Sequence, residues 1–220
     1  MTSAQGYVGT ENHSDGIATV TGRGSSWTMT DALFVGHNAG STGTMTISDG
    51  ATVTDVQGIV GALAGSNGSL TVTGAGSTWT SLVTSALYSG DINAGRLGTG
   101  SITVSDGGKV IGNRFYAGNE VGSSGTVVIT GAGSSIAATD RFVVGSEGTG
   151  VATVSNGGTI SAATIRIAGG AVAHGTRDVG AAPGDDIAAL LQPHRHLGLR
   201  VGAAGDRVHL VELQHRLVGL

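Results

Sequence analysis

A β-branched apolar residue flanked by threonines recurs along the chain, as Thr19-Val20-Thr21, Thr52-Val53-Thr54 and Thr71-Val72-Thr73. Successive side chains of a strand point to opposite faces, so the pattern predicts strands with valine or isoleucine turned inward and threonine turned out. One such apolar position repeats at Val20, Ile47, Val72, Val104, Ile129 and Val154, in steps of 27, 25, 32, 25 and 25 residues. A second marker, a short apolar run ending at a small residue, keeps the same order at 7–9, 33–36, 59–61, 87–90, 115–118, 142–145 and 165–169. No stretch between residues 1 and 169 sustains a helical period.

Short strands that repeat in phase about every 25 residues predict a stack of equivalent turns. Glycine and Asp-Gly or Asn-Gly pairs punctuate the strands, because these residues take the positive φ that sharp corners need. The fold expected is all-β: a right-handed parallel β-helix of about 25-residue coils, five full turns with fragments at both ends. At about 4.8 Å per turn it forms a rod roughly 25 to 30 Å long. Extra residues mark insertions: two in the loop 37–43, and about seven in 81–101, expected as loops at 82–85 and 91–100. A specific contact is expected at these loops.

Two units alternate at the corners. Gly-x-Gly-Ser-x-Trp occupies 22–27 and 74–79 and returns at 131–136 with Ile136 in the last place; its repeat positions are Gly22, Gly24, Trp27, Gly74, Gly76, Trp79, Gly131 and Gly133. Ser48-Asp49-Gly50, Ser105-Asp106-Gly107-Gly108 and Ser155-Asn156-Gly157-Gly158 fall between them. The run Thr-Val-Thr-Gly-x-Gly-Ser-x-Trp, alternating with Leu-x-Val-Gly and Ser-x-Gly-Gly-x-Val, resembles the repeat of bacterial autotransporter passenger domains and of related surface proteins with PEP-CTERM sorting signals. The resemblance covers about residues 7–169. It implies an exported β-helical stalk, often adhesive, carried to the cell surface by a C-terminal outer-membrane barrel. This sequence has neither a signal peptide nor that barrel. Its first residues enter in mid-turn, so a fragment of a longer protein is expected, bound to a membrane only through a barrel outside this chain.

Composition narrows the function further. Of 220 residues 41 are glycine and only 4% aromatic, which suits a tightly cornered solenoid better than a compact enzyme core. The absence of cysteine is compatible with export. A net charge of −4 and a single lysine, Lys109, leave no basic footprint for nucleic acid. After residue 169 the repeat stops: 170–220 hold five of seven histidines, eight of fourteen leucines, one threonine (Thr176) and no serine or asparagine. Two readings of this tail stand, a cap over the open core or a segment translated in a shifted frame. The expected domains are therefore 1–169 and an atypical 170–220.

Candidate chemistry is sparse. His194 and His196, with His209 and His215, have short spacing for metal ligation, but no carboxylate or thiol of matching spacing accompanies them, and no metal or cofactor is expected. Asp49, Asp106 and Asn156 recur once per two turns, too far apart to share calcium. Asp31, Asp55, Asp91, Asp140 and Glu147 fall at differing phases, so no catalytic acid pair is expected. Trp27 and Trp79 occupy equivalent positions: exposed, they would stack on glycans; half-buried, they would brace the corner, which the Ile136 replacement favours. The function expected is a secreted or cell-surface structural or adhesive stalk contacting glycans or a neighbouring or host surface. Alternatives are a polysaccharide-binding or polysaccharide-degrading β-helix, and an ice-binding protein whose threonine ladders unequal loops would spoil.

Overall fold

The computed structural model describes residues 1–84, 90–167 and 174–179. An incomplete turn, β1 (Thr2–Ser3) and β2 (Gly6–Val8), leads into six full coils. The first three coils have three strands each: β3 (Asp15–Thr21), β4 (Ser26–Met29), β5 (Ala32–Val35); β6 (Thr42–Ser48), β7 (Thr52–Asp55), β8 (Gln57–Val60); β9 (Asn67–Thr73), β10 (Thr78–Ser81), β11 (Asp91–Ala94). In the next three the second and third strands fuse: β12 (Thr99–Ser105), β13 (Lys109–Ala117); β14 (Ser124–Thr130), β15 (Ser135–Val144); β16 (Thr149–Ser155), β17 (Thr159–Ile167). A last strand, β18 (His174–Val179), pairs with β16, so the stack continues beyond the boundary expected at residue 169. No helix among the described residues is long and apolar enough to cross a membrane.

All pairings are parallel and join each coil to the next. The fold is thus a β-solenoid with two sheets, one of seven long strands from β3 to β18 and one of eleven shorter or bent strands. Val20, Ile47, Val72, Val104, Ile129 and Val154 lie in one register column, as the sequence pattern predicts. From Ile47 onward this column is buried. The column beside it, Ala18, Met45, Leu70, Ile102, Val127 and Ala152, faces the same core.

The third coil departs from the expectation. Its third strand is Asp91–Ala94, with Ile92 in register between Gly58 and Phe115, and Gly95 at the corner with φ 69°. The apolar run before Gly90 mimics this marker by composition, but the register assigns the role to the later segment; residues 85–89 lie outside the described ones. The insertion is therefore 82–90, between β10 and β11, and the loop expected at 91–100 is instead a strand, a short corner and the start of β12. The corner at 36–41 has six residues, as do those at 9–14, 61–66 and 118–123, whereas 95–98 and 145–148 have four.

At that corner the two sheets meet without side chains between them. Gly9, Gly36, Gly61, Gly95, Gly118 and Gly145 turn with φ between 67° and 76°. Each closely faces the backbone of a long strand, where Gly43, Gly68, Gly100, Gly125 and Gly150 occupy one register column. A Cβ on Gly100, for example, would overlap the Gly95 nitrogen and the Val60 carbonyl.

Across the core the tryptophans are matched to glycines. Trp27, Val53, Trp79, Val110, Ile136 and Ile160 form one column, and Gly6, Leu33, Gly58, Ile92, Phe115 and Phe142 form another. A Cβ on Gly58 would overlap the Trp79 ring, and one on Gly6 would crowd Trp27. One coil beneath Ile136 the glycine's place is held by Phe115, which stacks on Phe142 at 5.0 Å. Volume has moved from one column to the other: tryptophan goes with glycine below, isoleucine with phenylalanine below. Replacing Trp79 by isoleucine should cost about 3 kcal/mol, mostly as a cavity, and Gly58→Phe alone should overpack. In urea denaturation the double variant should be more stable than the sum of the two losses allows, by at least about 1 kcal/mol of coupling; strict additivity would refute the exchange.

Candidate functional site

The chemistry-bearing residues divide between the corners, the core and two outer faces. The repeat tryptophans belong to the core: Trp79 has no exposed surface, and Trp27 is 8% exposed. Each indole N–H is spent inside, Trp27 Nε1 donating to Ser3 Oγ at 3.0 Å and Trp79 Nε1 to Asp55 Oδ2 at 2.5 Å. Neither ring offers a free face for a sugar, and of the two roles weighed for Trp27 and Trp79 the structure holds the packing one, which the Ile136 replacement favours. The reason is the alternation itself, which turns every second residue of β4 and β10 inward.

The two corner units are halves of an interlock. Gly22, Gly24, Gly74, Gly76, Gly131 and Gly133 all turn with φ between 81° and 90°, and Asp49, Asp106 and Asn156 with φ between 52° and 55°. Thr21 Oγ1 donates to Asp49 Oδ2 at 2.8 Å, and Thr73 Oγ1 to Asp106 Oδ2 at 3.0 Å, each reaching from a Gly-x-Gly-Ser corner to the acidic corner of the next coil. In the opposite direction, Ser77 Oγ accepts the Gly50 N–H and Ser134 Oγ the Gly107 N–H, both at 3.0 Å. At the third pair Asn156 Nδ2 donates to Thr130 Oγ1. These side chains are occupied in holding corner to corner, which is why the two units alternate.

The remaining acids are separated. Asp31 accepts from Gln5 Nε2 at 2.7 Å, Asp91 pairs with Arg114 at 2.7 Å, Asp140 pairs with Arg141 at 3.0 Å, and Asp55 is buried. Among the described residues no group of three or more His, Asp or Glu side chains is placed to hold a metal ion. His194 and His196 lie outside the described residues.

Two outer faces remain as candidates. On the long-strand sheet, Thr19, Thr46, Thr71, Thr103, Val128 and Thr153 stand in one register column. Thr21, Ser48, Thr73, Ser105, Thr130 and Ser155 stand in the next, with Ser48 Oγ donating to Thr21 and Ser105 Oγ to Thr73. The insertion at 82–90 emerges from the other sheet, so the register of these rows continues past it, with Val128 standing where the first row would carry a hydroxyl. No ionisable side chain occurs in β6, β9, β12, β14 or β16. The second face carries an aromatic cluster: Tyr7 stacks on Phe34 at 5.0 Å, and His37 meets both edge-on at 5.4 and 4.6 Å. Tyr7 Oη donates to Gln5 Oε1 at 2.8 Å. Sequence reasoning missed this cluster, although Tyr7 and Phe34 hold equivalent places in the apolar marker of adjoining coils.

No family model matches the chain, and neither curated proteins nor solved structures give a match. The solenoid and its repeat are established by geometry alone.

Two substitutions separate the corners from the faces. Ser77→Ala removes the acceptor for the Gly50 N–H and should cost about 1 kcal/mol, read as a lower urea midpoint. Thr103→Ser on the open face should leave that midpoint within about 0.5 kcal/mol. Equal effects would mean that the corners do not lock.

Proposed function

We propose that the chain is a structural or adhesive stalk segment of a cell-surface or secreted protein, exported in the manner of an autotransporter passenger. The observation that carries the reading is the continuous stack of six coils, in which the long strands of the second to sixth coils present a hydroxyl-rich face without ionisable side chains. A solenoid joins each coil to its neighbours and so makes a stiff spacer without a separate core for each turn. Six coils at about 4.8 Å give a body of roughly 30 Å, with proportionally greater reach in a longer parent. Each hydroxyl contributes a weak hydrogen bond to a partner, and a row of them contributes by multivalency. Neutral glycans on a host or neighbouring surface fit a face without charge. The repeat motif at 19–27 and 71–79 supports placement at the bacterial surface.

A second reading is favoured by one observation, the unbroken register of the hydroxyl rows past the insertion. A lattice of that kind suits an ordered neutral surface, whether an insoluble polysaccharide or ice.

Retention of the full chain on insoluble neutral polysaccharides and on intact cells tests the adhesive reading. Binding is expected to drop at least tenfold in a Thr71→Glu/Thr103→Glu variant that keeps its circular dichroism. Absence of retention on every surface, together with zero thermal hysteresis, would leave a spacer without adhesion. Antibody labelling of unpermeabilised cells tests the location, and label appearing only after lysis would overturn it.

A further inference from the structure

Among the described residues one ionisable side chain is sealed inside the solenoid. Asp55 ends β7 with no exposed surface; it is in register with Ser81 above, and it follows Thr54 as Met29, the partner of Ser3, follows Thr28 in the strand below. Two donors reach it from the third coil: the Trp79 indole N–H at 2.5 Å on Oδ2, and the Ser81 hydroxyl on Oδ1. The backbone repeats the link, the Leu82 N–H donating to the Asp55 carbonyl at 2.7 Å. Leu82 is the first residue of the insertion, so the carboxyl sits beneath the point where that insertion leaves the coil.

Among the described residues no cation is paired with it. β4 and β10, which flank β7 in the sheet, carry no ionisable side chain, and β6, β8 and β9 carry none either. The nearest acids along the chain, Asp31 and Asp49, sit at corners and are bonded to Gln5 and Thr21. A buried carboxylate without a counter-charge is costly, and two donors offset only part of that cost.

We propose that Asp55 is a proton-operated joint between the second and third coils: neutral, it is a compatible member of the core column, and ionised, it loosens the step to Trp79, Ser81 and Leu82. Burial pushes its pKa up from 3.8 to about 7, while the bonds from Ser81 and Trp79 pull the other way. The sign follows from proton counting. Between pH 4 and 7 the folded state holds a proton that the unfolded chain has released, so stability is full in acid and is lost as pH rises through that window. Each pH unit there weakens the folding constant by up to about tenfold. Asp55's contribution therefore makes this joint tighter in acid than above neutrality, the reverse of a carboxylate held by a salt bridge.

The test uses the full chain with Trp27→Phe, so that Trp79 is the sole tryptophan. Its emission, followed from acid to alkaline pH, is expected to change in one step near pH 7, and the step should vanish with Asp55→Asn. Ser81→Ala, which removes a donor to the anion, should move the step to higher pH. Hydrogen exchange at Leu82, corrected for its intrinsic rate, should be slower at pH 5 than at pH 8 in the Trp27→Phe protein and independent of pH in the Asn variant. Emission that does not change with pH, or that changes identically in Asp55→Asn, overturns the proposal. If the Asn variant does not fold, Asp55→Ser carries the test, since serine already stands in register with this position at Ser81.

Discussion

The backbone hydrogen-bond ladder that runs parallel to the rod axis is the constraint from which the rest follows. Every buried N–H and C=O must find a partner, and here the partners lie one coil away, through strands and corners alike: the Gly36 N–H meets the Val8 carbonyl and the Gly61 N–H the Val35 carbonyl. Once corners as well as strands must pair, coil length is held nearly constant. Corners absorb a difference of two residues while still bonding to one another, as 95–98 does to 61–66, and a longer insertion leaves the ladder altogether, as at 82–90. The same requirement explains Gly9, Gly36, Gly61, Gly95 and Gly118, since a corner that bonds above and below while pressing against the opposite sheet has no room for Cβ.

Much of this was legible in the residues. The inward valines and isoleucines fall into register because the period-two pattern and the 25-residue step together leave no other alignment. The positive φ of Asp49, Asp106 and Asn156 is local chemistry, readable from the Asp-Gly and Asn-Gly pairs alone. Other features depend on what lies one coil away. The alternation turns Trp79 inward, but the room for its ring is made by Gly58, twenty-one positions earlier in the chain, and Ile136 makes sense only beside Phe115. The strand at Asp91–Ala94 was hidden by an apolar run just before it that satisfies the same local rule. The glycines at 43, 68, 100, 125 and 150 share one spacing with the valine column, yet they stand out only when the opposing corner is known.

The candidate surfaces were partly legible. Threonine rows follow from the alternation, but their continuity past the insertion depends on which sheet that insertion leaves. The aromatic cluster of Tyr7, Phe34 and His37 joins residues from two coils and a corner. The acids Asp31, Asp55, Asp91 and Asp140 are alike in sequence and unlike in place, one sealed in the core and the others held at the surface by amide or guanidinium partners. Composition assigns them no difference, whereas burial does.

The corner interlock also governs how such a chain can change length in evolution. Because a Gly-x-Gly-Ser corner offers threonine in one direction and serine in the other, and an acidic corner receives both, gain or loss of a single coil would set like against like. Duplication in pairs, about fifty residues at a time, preserves every contact. The unit that conserves the interlock is therefore the doublet, even though the structural turn is half as long.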